Sequence, residues 1–166
     1  VYLATLMIPQ VVIVIPLYTM MVQTGLRNSF WALVLPFMFG SPYAVFLLRE
    51  HFRSIPDDLI DAARIDGAGD WRLLWQIVAP MSRGIIATLA IITVVTHWNN
   101  FMWPLIIAPK PEWNVLTVAT VSLQTQYEGN WTLVMAASVI ALAPLVVLFL
   151  IFQGRVTNAI GASGLR

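Results

Sequence analysis

The residues that could do chemistry in this chain are few, and one polar group interrupts an apolar stretch of the sequence. The group comprises Thr96, His97, Trp98, Asn99, Asn100 and, slightly further on, Trp103. Hydroxyl, imidazole and amide groups can hydrogen-bond a polar solute, and indole rings offer it flat apolar faces. Polar groups within an apolar helix can equally bond a neighbouring helix. A pathway wall and a structural contact are therefore both open interpretations.

The rest of the sequence contains no pattern that is typical of an enzyme active site or a metal site. The chain contains no cysteine, which excludes disulfides, thiolate ligands and cysteine nucleophiles. His51 and His97 lie in different parts of the sequence, so a shared metal site is not expected. No glycine-rich loop ending in Gly-Lys-Ser or Gly-Lys-Thr occurs, so the chain is not expected to hydrolyse ATP. We expect no enzymatic activity and no cofactor, and the net charge of +1 does not favour nucleic-acid binding.

The elements that must position the polar group are strongly apolar. Hydrophobic residues make up 59% of the 166 residues and charged residues 10%, whereas a soluble domain has about 25% charged residues. A hydrocarbon core of about 30 Å requires about 20 helical residues. Four uncharged stretches meet this requirement within tolerance, namely 1–24, 30–48, 84–108 and 131–152. The sequence thus predicts a single domain over residues 1–166, an all-α, polytopic transmembrane helix bundle, and disfavours core helices of a large soluble protein.

The basic residues predict the orientation of these spans. Seven arginines lie in or beside the loop between the second and third spans or after the fourth, whereas Arg27 and Lys110 lie in the opposite loops. By the positive-inside rule, loop 50–83 and the C-terminus are cytoplasmic. An interfacial belt is expected from the tryptophans near the outer boundary, Trp31, Trp103, Trp113 and Trp131. Because residue 1 is an apolar valine, we expect it to be an interior point of a longer protein.

The first half of loop 50–83 has the pattern of a short, capped helix. Ser54 is an expected N-cap, and Asp57 completes a capping-box-like pair with it. Gly67 can take the left-handed conformation that ends a helix. One face of this helix is expected to be apolar, with Ile55, Leu59, Ala62 and Ala63 at helical spacing.

A second short helix follows, with Asp70 as its expected cap and Pro80 as its expected end. Its apolar residues repeat at i, i+3, i+4 and i+7, at Trp71, Leu74, Trp75 and Val78. The hairpin is either an interfacial tether between two spans or a docking element for a cytoplasmic partner. Small residues favour docking, because they let another protein approach the backbone; they are Ala62, Ala63 and Gly67.

This loop resembles a known motif, the EAA loop of the permeases of ABC importers. In that family the loop contains a coupling helix that sits in a groove of the ATPase subunit. The positions that carry the resemblance are Asp61, Ala62, Ala63, Asp66, Gly67, Ala68, Ile77 and Pro80. The wider chain is similar to the maltose-type carbohydrate branch of the family. The similar segments are Met7–Pro9, Phe52–Pro56, Trp98–Leu105 and the tail Gln153–Arg166.

The resemblance covers essentially all 166 residues and implies four of the usual six spans. It implies a multi-pass permease subunit of the plasma (inner) membrane that forms half of the translocation pathway for a carbohydrate. The expected partners are cytoplasmic ABC ATPase subunits, a second and non-identical permease subunit, an extracytoplasmic sugar-binding protein, the sugar and the lipid bilayer.

In the resembling family, loop 109–130 faces the sugar-binding protein, although a plain solvent loop is an equal alternative here. The residues expected along the pathway are His97, Trp98, Asn99, Asn100 and Trp103. Two alternative functions stay open. One is a non-transport membrane scaffold or assembly subunit, and the other is an ABC importer permease for a non-sugar solute.

Overall fold

The structure is a computed structural model that describes residues 7–126 and 130–161. All regular structure in these ranges is helical, as the sequence predicts. The α-helices are α1 (Gln10–Gln23), α2 (Phe30–Val34), α3 (Pro42–Arg53), α4 (Asp57–Ile65), α5 (Asp70–Leu73), α6 (Ala79–Met81), α7 (Arg83–Trp98), α8 (Met102–Ile107), α9 (Leu116–Gln126) and α10 (Trp131–Gly161). Leu35–Phe37 and Pro111–Trp113 are 3-10 turns, and Leu74–Val78 is a π-helical turn.

Two helical stretches of the described chain are long and apolar enough to cross a membrane. They are Phe30–Arg53 and Trp131–Gln153. A third crossing results if Asp70–Met81 and Arg83–Trp98, which are bent by 78° at a short break, form one span. The segment Val11–Gln23 is also apolar but is shorter.

The four-span topology therefore stays a prediction. The first predicted span begins with residues 1–6, which lie outside the described residues, as does the end of the tail, 162–166. The third predicted span is divided between α7 and α8, because residues 99–101 are not helical. The last predicted span lies within α10, which continues nine residues further, to Gly161.

The described residues form two compact units. The loop unit contains Met7 and residues 40–93, and the cluster unit contains residues 8–39 and the described residues from 94 onwards. In the loop unit, Ser41 caps α3 because its Oγ accepts the Ala44 N–H at 3.1 Å. The buried residues of this unit are Ile55, Ala63, Val78, Ser82 and Leu89.

The cluster unit is built around an apolar cluster, which we call the Trp103 cluster. Its buried members are Met21, Ala32, Trp103, Ile107 and Ala108. The Trp103 indole N–H donates to the Ala32 carbonyl at 3.0 Å, so the one polar atom of this ring is satisfied inside the cluster. Partly buried apolar residues surround it, namely Val14, Leu17, Tyr18, Leu26, Leu33, Leu35 and Phe37.

A polar turn fastens the end of α1 to the end of α8 in this unit. Asn28, in the left-handed region at φ 59°, donates its backbone N–H to the Ile107 carbonyl at 2.9 Å. Its side-chain Oδ1 accepts the Lys110 N–H, also at 2.9 Å. A single asparagine thus joins two segments that are distant in sequence, and it does so next to the Trp103 cluster.

Many hydroxyl groups in the apolar helices bond within their own helix. Each donates to the carbonyl four residues earlier, an arrangement that satisfies a hydroxyl without a second helix. The residues are Thr19, Thr24, Thr88, Thr120, Ser122 and Ser138. These side chains therefore add little polar surface to the helices that carry them.

Candidate functional site

The turn at Gly67 is the best-defined feature of the loop unit. Gly67 has φ +79°, in the region that costs residues with a Cβ atom. The Gly67 N–H donates to the Arg64 carbonyl at 3.0 Å, and the Ala68 N–H donates to the Ala63 carbonyl at 2.9 Å. These two bonds form a Schellman motif, in which the glycine closes the end of α4. The predicted glycine turn is confirmed by this geometry.

The start of α4 differs from the prediction. Pro56, with an extended backbone, occupies the N-cap position and makes no side-chain capping bond. Ser54 instead ends α3, and its hydroxyl donates to the His51 carbonyl at 2.6 Å. The capping box of Ser54 and Asp57 is therefore wrong. The reason is Pro56, which disfavours helical geometry at Ile55 and so separates Ser54 from the helix that follows.

The second helix of the loop also begins and ends differently from the prediction. Gly69 is the N-cap and Asp70 is the first helical residue, so the predicted cap at Asp70 is wrong. Pro80 does not end the helix, which continues to Met81 after a π-helical turn. Proline lacks an N–H and crowds the carbonyl four residues earlier. A wider turn immediately before Pro80 relieves that crowding and lets the helix pass through it.

Ser82 lies at the bend between α6 and α7. Its side chain is fully buried, and its Oγ has no hydrogen-bond partner in the structure. Its backbone N–H is satisfied by the carbonyls of Val78 and Ala79, at 3.0 and 3.2 Å. An unsatisfied buried hydroxyl is unfavourable, so this position costs stability in the bent arrangement.

The EAA-like residues are mostly on the surface of the hairpin. The exposed ones are Asp61, Ala62, Asp66 and Gly67, the half-buried ones are Ala68, Ile77 and Pro80, and Ala63 is buried. Arg64 and Asp70 lie 3.8 Å apart across the turn, with both side chains largely exposed. Such a pair contributes little stability. The hairpin thus presents acidic and small residues around a turn whose shape is set by the backbone.

The apolar faces expected on the hairpin are only partly covered by the chain. In the first helix, Ala63 is buried while Leu59 is 45% exposed. In the second, Val78 is buried, whereas Trp71 and Trp75 are 77% and 67% exposed. The predicted helical spacing is present, but the chain does not itself cover the tryptophans.

The predicted pathway residues have separate environments within the cluster unit. His97 is exposed and packs edge-on against Phe37, with 5.0 Å between ring centroids. The Trp98 indole N–H donates to the Ala141 carbonyl in α10 at 3.1 Å. Trp98 therefore links two apolar helices and leaves part of its ring exposed.

The two asparagines bond mainly near their own positions. The Asn99 Nδ2 donates to the Val95 carbonyl, four residues earlier, at 2.9 Å, and the side chain is exposed. The Asn100 N–H donates to the His97 carbonyl, and the Asn100 carbonyl accepts the Thr117 hydroxyl at 3.2 Å. These bonds end α7 and connect that end to α9.

Trp103 is placed differently from the rest of the predicted group. It is 2% exposed at the centre of the Trp103 cluster. A ring so enclosed offers no face to a solute, and it cannot reach lipid as a belt residue would. Its expected place in the interfacial belt is therefore wrong. The other three belt tryptophans, Trp31, Trp113 and Trp131, have exposed rings.

The sequence profile of one protein family matches residues 1–161 of this chain. The family is described as the binding-protein-dependent transport system inner membrane component. This chain belongs to that family. The permease family predicted from the loop motif is thereby confirmed, and the chain is a multi-pass inner-membrane protein with an all-α fold.

Curated relatives are permease proteins of several transport systems. The arabinooligosaccharides transport system permease protein AraQ of Halalkalibacterium halodurans is 35% identical over 91% of this chain and 54% of its own length. The lactose transport system permease protein LacG of Rhizobium radiobacter is 33% identical over 92% and 56%. The sn-glycerol-3-phosphate transport system permease protein UgpE of Yersinia pestis is 38% identical over 90% and 53%. The chain spans about half the length of these relatives, and no solved structure matches it.

Sequence reasoning missed one helix of this permease chain. Residues 109–130 were expected to be a loop, yet Leu116–Gln126 forms α9, which packs along α10. Val118, in this helix, is 4% exposed. The signal that could have revealed α9 is the helical spacing of Val115, Val118 and Ser122. Tyr127 and Glu128, also assigned to this loop, lie outside the described residues.

Metal binding finds no site in the described part of this permease chain. No group of three or more metal-binding side chains occurs within residues 7–126 and 130–161. His51 belongs to the loop unit and His97 to the cluster unit, and each contacts a phenylalanine ring.

Proposed function

We propose that the chain is part of a permease subunit of an ABC importer and forms half of a translocation pathway for a carbohydrate. The observation that carries this proposal is the Gly67 turn, which presents exposed acidic and small residues in a member of a transport-permease family. The permeases AraQ and LacG belong, by name, to systems for arabinooligosaccharides and lactose, which supports the carbohydrate class.

The turn couples transport to ATP hydrolysis in separate cytoplasmic ATPase subunits. Coupling requires a surface that fits its partner closely and does not deform when pulled. The two backbone hydrogen bonds that close the Gly67 turn supply that rigidity, and the small residues allow close approach. The coupling residues are Asp61, Ala62, Ala63, Asp66, Gly67, Ala68, Ile77 and Pro80.

The pathway wall includes His97, Trp98, Asn99 and Asn100. These side chains are exposed or half-buried in the chain, and they combine donors, acceptors and an aromatic face. Trp103 is left out of the wall because the Trp103 cluster encloses it. A second, non-identical permease subunit supplies the other half of the wall, and an extracytoplasmic binding protein delivers the sugar.

The direct test is uptake by the full-length protein in its complete complex. Vesicles that contain the complex, the binding protein and internal ATP are given labelled arabinose oligosaccharides, lactose or glycerol 3-phosphate. Accumulation of a sugar supports the proposal. A complex that assembles and hydrolyses ATP but accumulates none of these or other labelled sugars would overturn it.

A second candidate is import of a non-sugar solute. The 38% identity with the glycerol-3-phosphate permease protein UgpE favours it. In the same assay, accumulation of glycerol 3-phosphate alone would select this candidate. The scaffold alternative loses its support, because the chain belongs to a family of transport components.

The orientation proposed is a cytoplasmic 50–83 loop and a cytoplasmic C-terminus. The bias of basic residues supports it. Single cysteines in place of Gly69 and Asn114 should react with a membrane-impermeant reagent from opposite sides in intact cells. Equal reaction of both would contradict the orientation, and the absence of native cysteine in this chain removes its own background.

A further inference from the structure

The second helix of the loop carries two tryptophans that the chain leaves uncovered. Trp71 and Trp75 are one helical turn apart and therefore share a face, and they are 77% and 67% exposed. The neighbouring face is polar, because the Arg72 Nε donates to the Gln76 Oε1 at 2.9 Å, again one turn apart. The segment Asp70–Met81 is thus amphipathic, with aromatic rings on one side and a hydrogen-bonded polar pair on another.

The bend after this segment fixes its direction relative to α7. The axes of Asp70–Met81 and Arg83–Trp98 differ by 78°. Spanning helices are tilted by about 20° from the membrane normal on average. If α7 spans, a segment at 78° to it lies within roughly 30° of the membrane plane. The two tryptophans are then carried on a helix that runs along the membrane surface.

The charged residues in and beside the segment are Asp70, which lies 3.8 Å from Arg64, and the two arginines Arg72 and Arg83. Arg72 and Arg83 lie at the two ends of the segment, and both are exposed. Arg83 uses its Nε to hydrogen-bond the Pro80 carbonyl at 2.9 Å, and Arg72 uses its Nε for Gln76. A guanidinium has five N–H donors, so each arginine retains donors that can meet phosphate oxygens. Anionic lipid attracts such residues on the cytoplasmic leaflet.

We infer that Asp70–Met81 lies in the cytoplasmic headgroup layer of the membrane, with Trp71 and Trp75 inserted where the headgroups meet the acyl chains. Indole rings favour this layer because their apolar body meets acyl chains while their N–H meets polar headgroup atoms. The inference rests on the proposed span at α7 and cytoplasmic loop. It gives the hairpin two partners, protein at the proposed coupling residues, which include Ile77 and Pro80, and lipid at Trp71 and Trp75.

For the transporter, the consequence is that the second helix of the loop stays at one depth in the membrane while the rest of the hairpin moves. A helix whose apolar face is buried in the headgroup layer loses that burial when it moves along the membrane normal toward water. Motion transmitted through the Gly67 turn would then reach α7 as a change in the bend rather than as a vertical shift of the whole loop.

Spin labels on single cysteines test this in the complete complex, reconstituted in bilayers that contain an anionic lipid. The labelled variants are Trp71→Cys and Trp75→Cys, with Arg72→Cys and Gln76→Cys as controls on the polar face. Collisions with oxygen, which concentrates in lipid, are compared with collisions with a water-soluble nickel complex. We expect the ratio to shift toward oxygen at positions 71 and 75 and toward nickel at positions 72 and 76.

Two results would overturn the inference. Greater access to nickel at all four positions means that the tryptophans face water. Protection from both reagents at positions 71 and 75 means that a protein surface covers them, and loss of that protection on removal of the ATPase would identify the protein. The accessibility of positions 71 and 75 is therefore also measured in a sample without ATPase subunits.

Labels in α7 separate a failure of the inference from a failure of the proposed span. Ile86 and Val94 are exposed apolar residues of α7, and their cysteine variants should be accessible to oxygen in a spanning helix. If these two positions lie in lipid but 71 and 75 do not, the inference alone fails. If access to nickel exceeds access to oxygen at Ile86→Cys and Val94→Cys, the span fails and the inference fails with it. Neither of these two outcomes depends on which solute the complex transports.

Discussion

Around Gly67, the described hydrogen bonds connect residues a few positions apart, whereas around Trp103 they connect residues far apart in the sequence. The Gly67 turn is closed by bonds from Gly67 to Arg64 and from Ala68 to Ala63. The Trp103 indole bonds the carbonyl of Ala32, which lies 71 positions earlier. Both regions are well defined, but one is specified by local backbone chemistry and the other by tertiary packing.

The difference has a functional meaning. A turn specified locally keeps its shape while its surroundings change, which suits the coupling to an ATPase that we propose for it. A packed cluster keeps its shape only while its helices stay together, which suits a part that moves as a body. The two regions should therefore respond differently to substitution.

The largest effect is expected from Trp103→Ala. Removing a fully buried aromatic ring leaves a cavity and takes the indole donor from the Ala32 carbonyl, and the expected loss of stability is about 3–5 kcal/mol. Thermal unfolding of the purified complex measures it. Trp31→Ala, at an exposed ring in the same unit, is the matched control and should change stability far less. Equal losses of stability in the two variants would mean that the Trp103 cluster does not stabilise the protein more than an exposed ring does.

Gly67→Val should leave the protein in the membrane but abolish uptake. A Cβ atom at Gly67 would meet nothing within 4 Å, so the damage comes from φ +79°, at a cost of about 1–2 kcal/mol. The strained turn would then present an altered surface to the ATPase. ATPase pull-down and uptake in the same cells measure the effect.

Two controls separate the effect of an added side chain in the loop from the effect of a strained backbone. They are Gly69→Val and Gly25→Val. Gly69 is equally open but has an ordinary φ of −74°, so its variant should keep the turn. Gly25 has φ +72° in a similar turn after α1, so its variant carries the strain away from the loop and should keep ATPase binding. Normal uptake and normal ATPase binding in Gly67→Val would reduce the hairpin to a tether.

Asn99→Leu should reduce uptake while subunit assembly and basal ATPase activity are retained. The variant removes an exposed amide from the proposed wall and replaces it by an apolar side chain of similar size. Thr88→Val is the control, since it removes a hydroxyl with the same type of bond, to the carbonyl four residues earlier in the same helix. Transport of the labelled substrate in vesicles measures both. Unchanged uptake in Asn99→Leu would make Asn99 a structural residue.

The smallest effect, and one of opposite sign, is expected from Ser82→Ala. The substitution removes a buried hydroxyl that has no partner, so it should stabilise the bent arrangement by about 1 kcal/mol. The melting temperature of the complex reports the change. Ser138→Ala, which removes a hydroxyl bonded to the Val134 carbonyl at 2.8 Å, should not stabilise. A lower melting temperature for Ser82→Ala would indicate that its hydroxyl has a partner in the assembled complex.

The parts of the site that depend on neighbouring residues were predictable from the sequence. Gly67 follows a helical pattern and an aspartate, and glycine is the residue that accepts positive φ at such a position. Ser54 shows the limit of this reasoning, because its hydroxyl has two nearby choices, the carbonyl of His51 or the first N–H groups of the next helix. Pro56 decides between them by setting where the next helix begins.

The parts that depend on distant residues were not predictable. Trp103 has the same sequence character as the other tryptophans near the predicted boundary, and only the packing of α2 against α8 separates it from them. The same holds for α9, whose buried side becomes apparent once α10 lies beside it. Helical class and apolar stretches follow from composition, but the choice of which ring is enclosed requires the tertiary structure.

The hydroxyls that bond within their own helices have a mechanical consequence. Because Thr19, Thr88, Thr120 and Ser138 each bond a carbonyl four residues earlier, a neighbouring helix can shift past them without breaking those bonds. Such surfaces offer little polar resistance to sliding, and the contacts that resist it are the few that cross between segments, such as Trp98 to Ala141 and Trp103 to Ala32. Among the described residues, resistance to sliding is therefore concentrated at a few positions, which include Asn28 and Thr117 as well as the two indole rings.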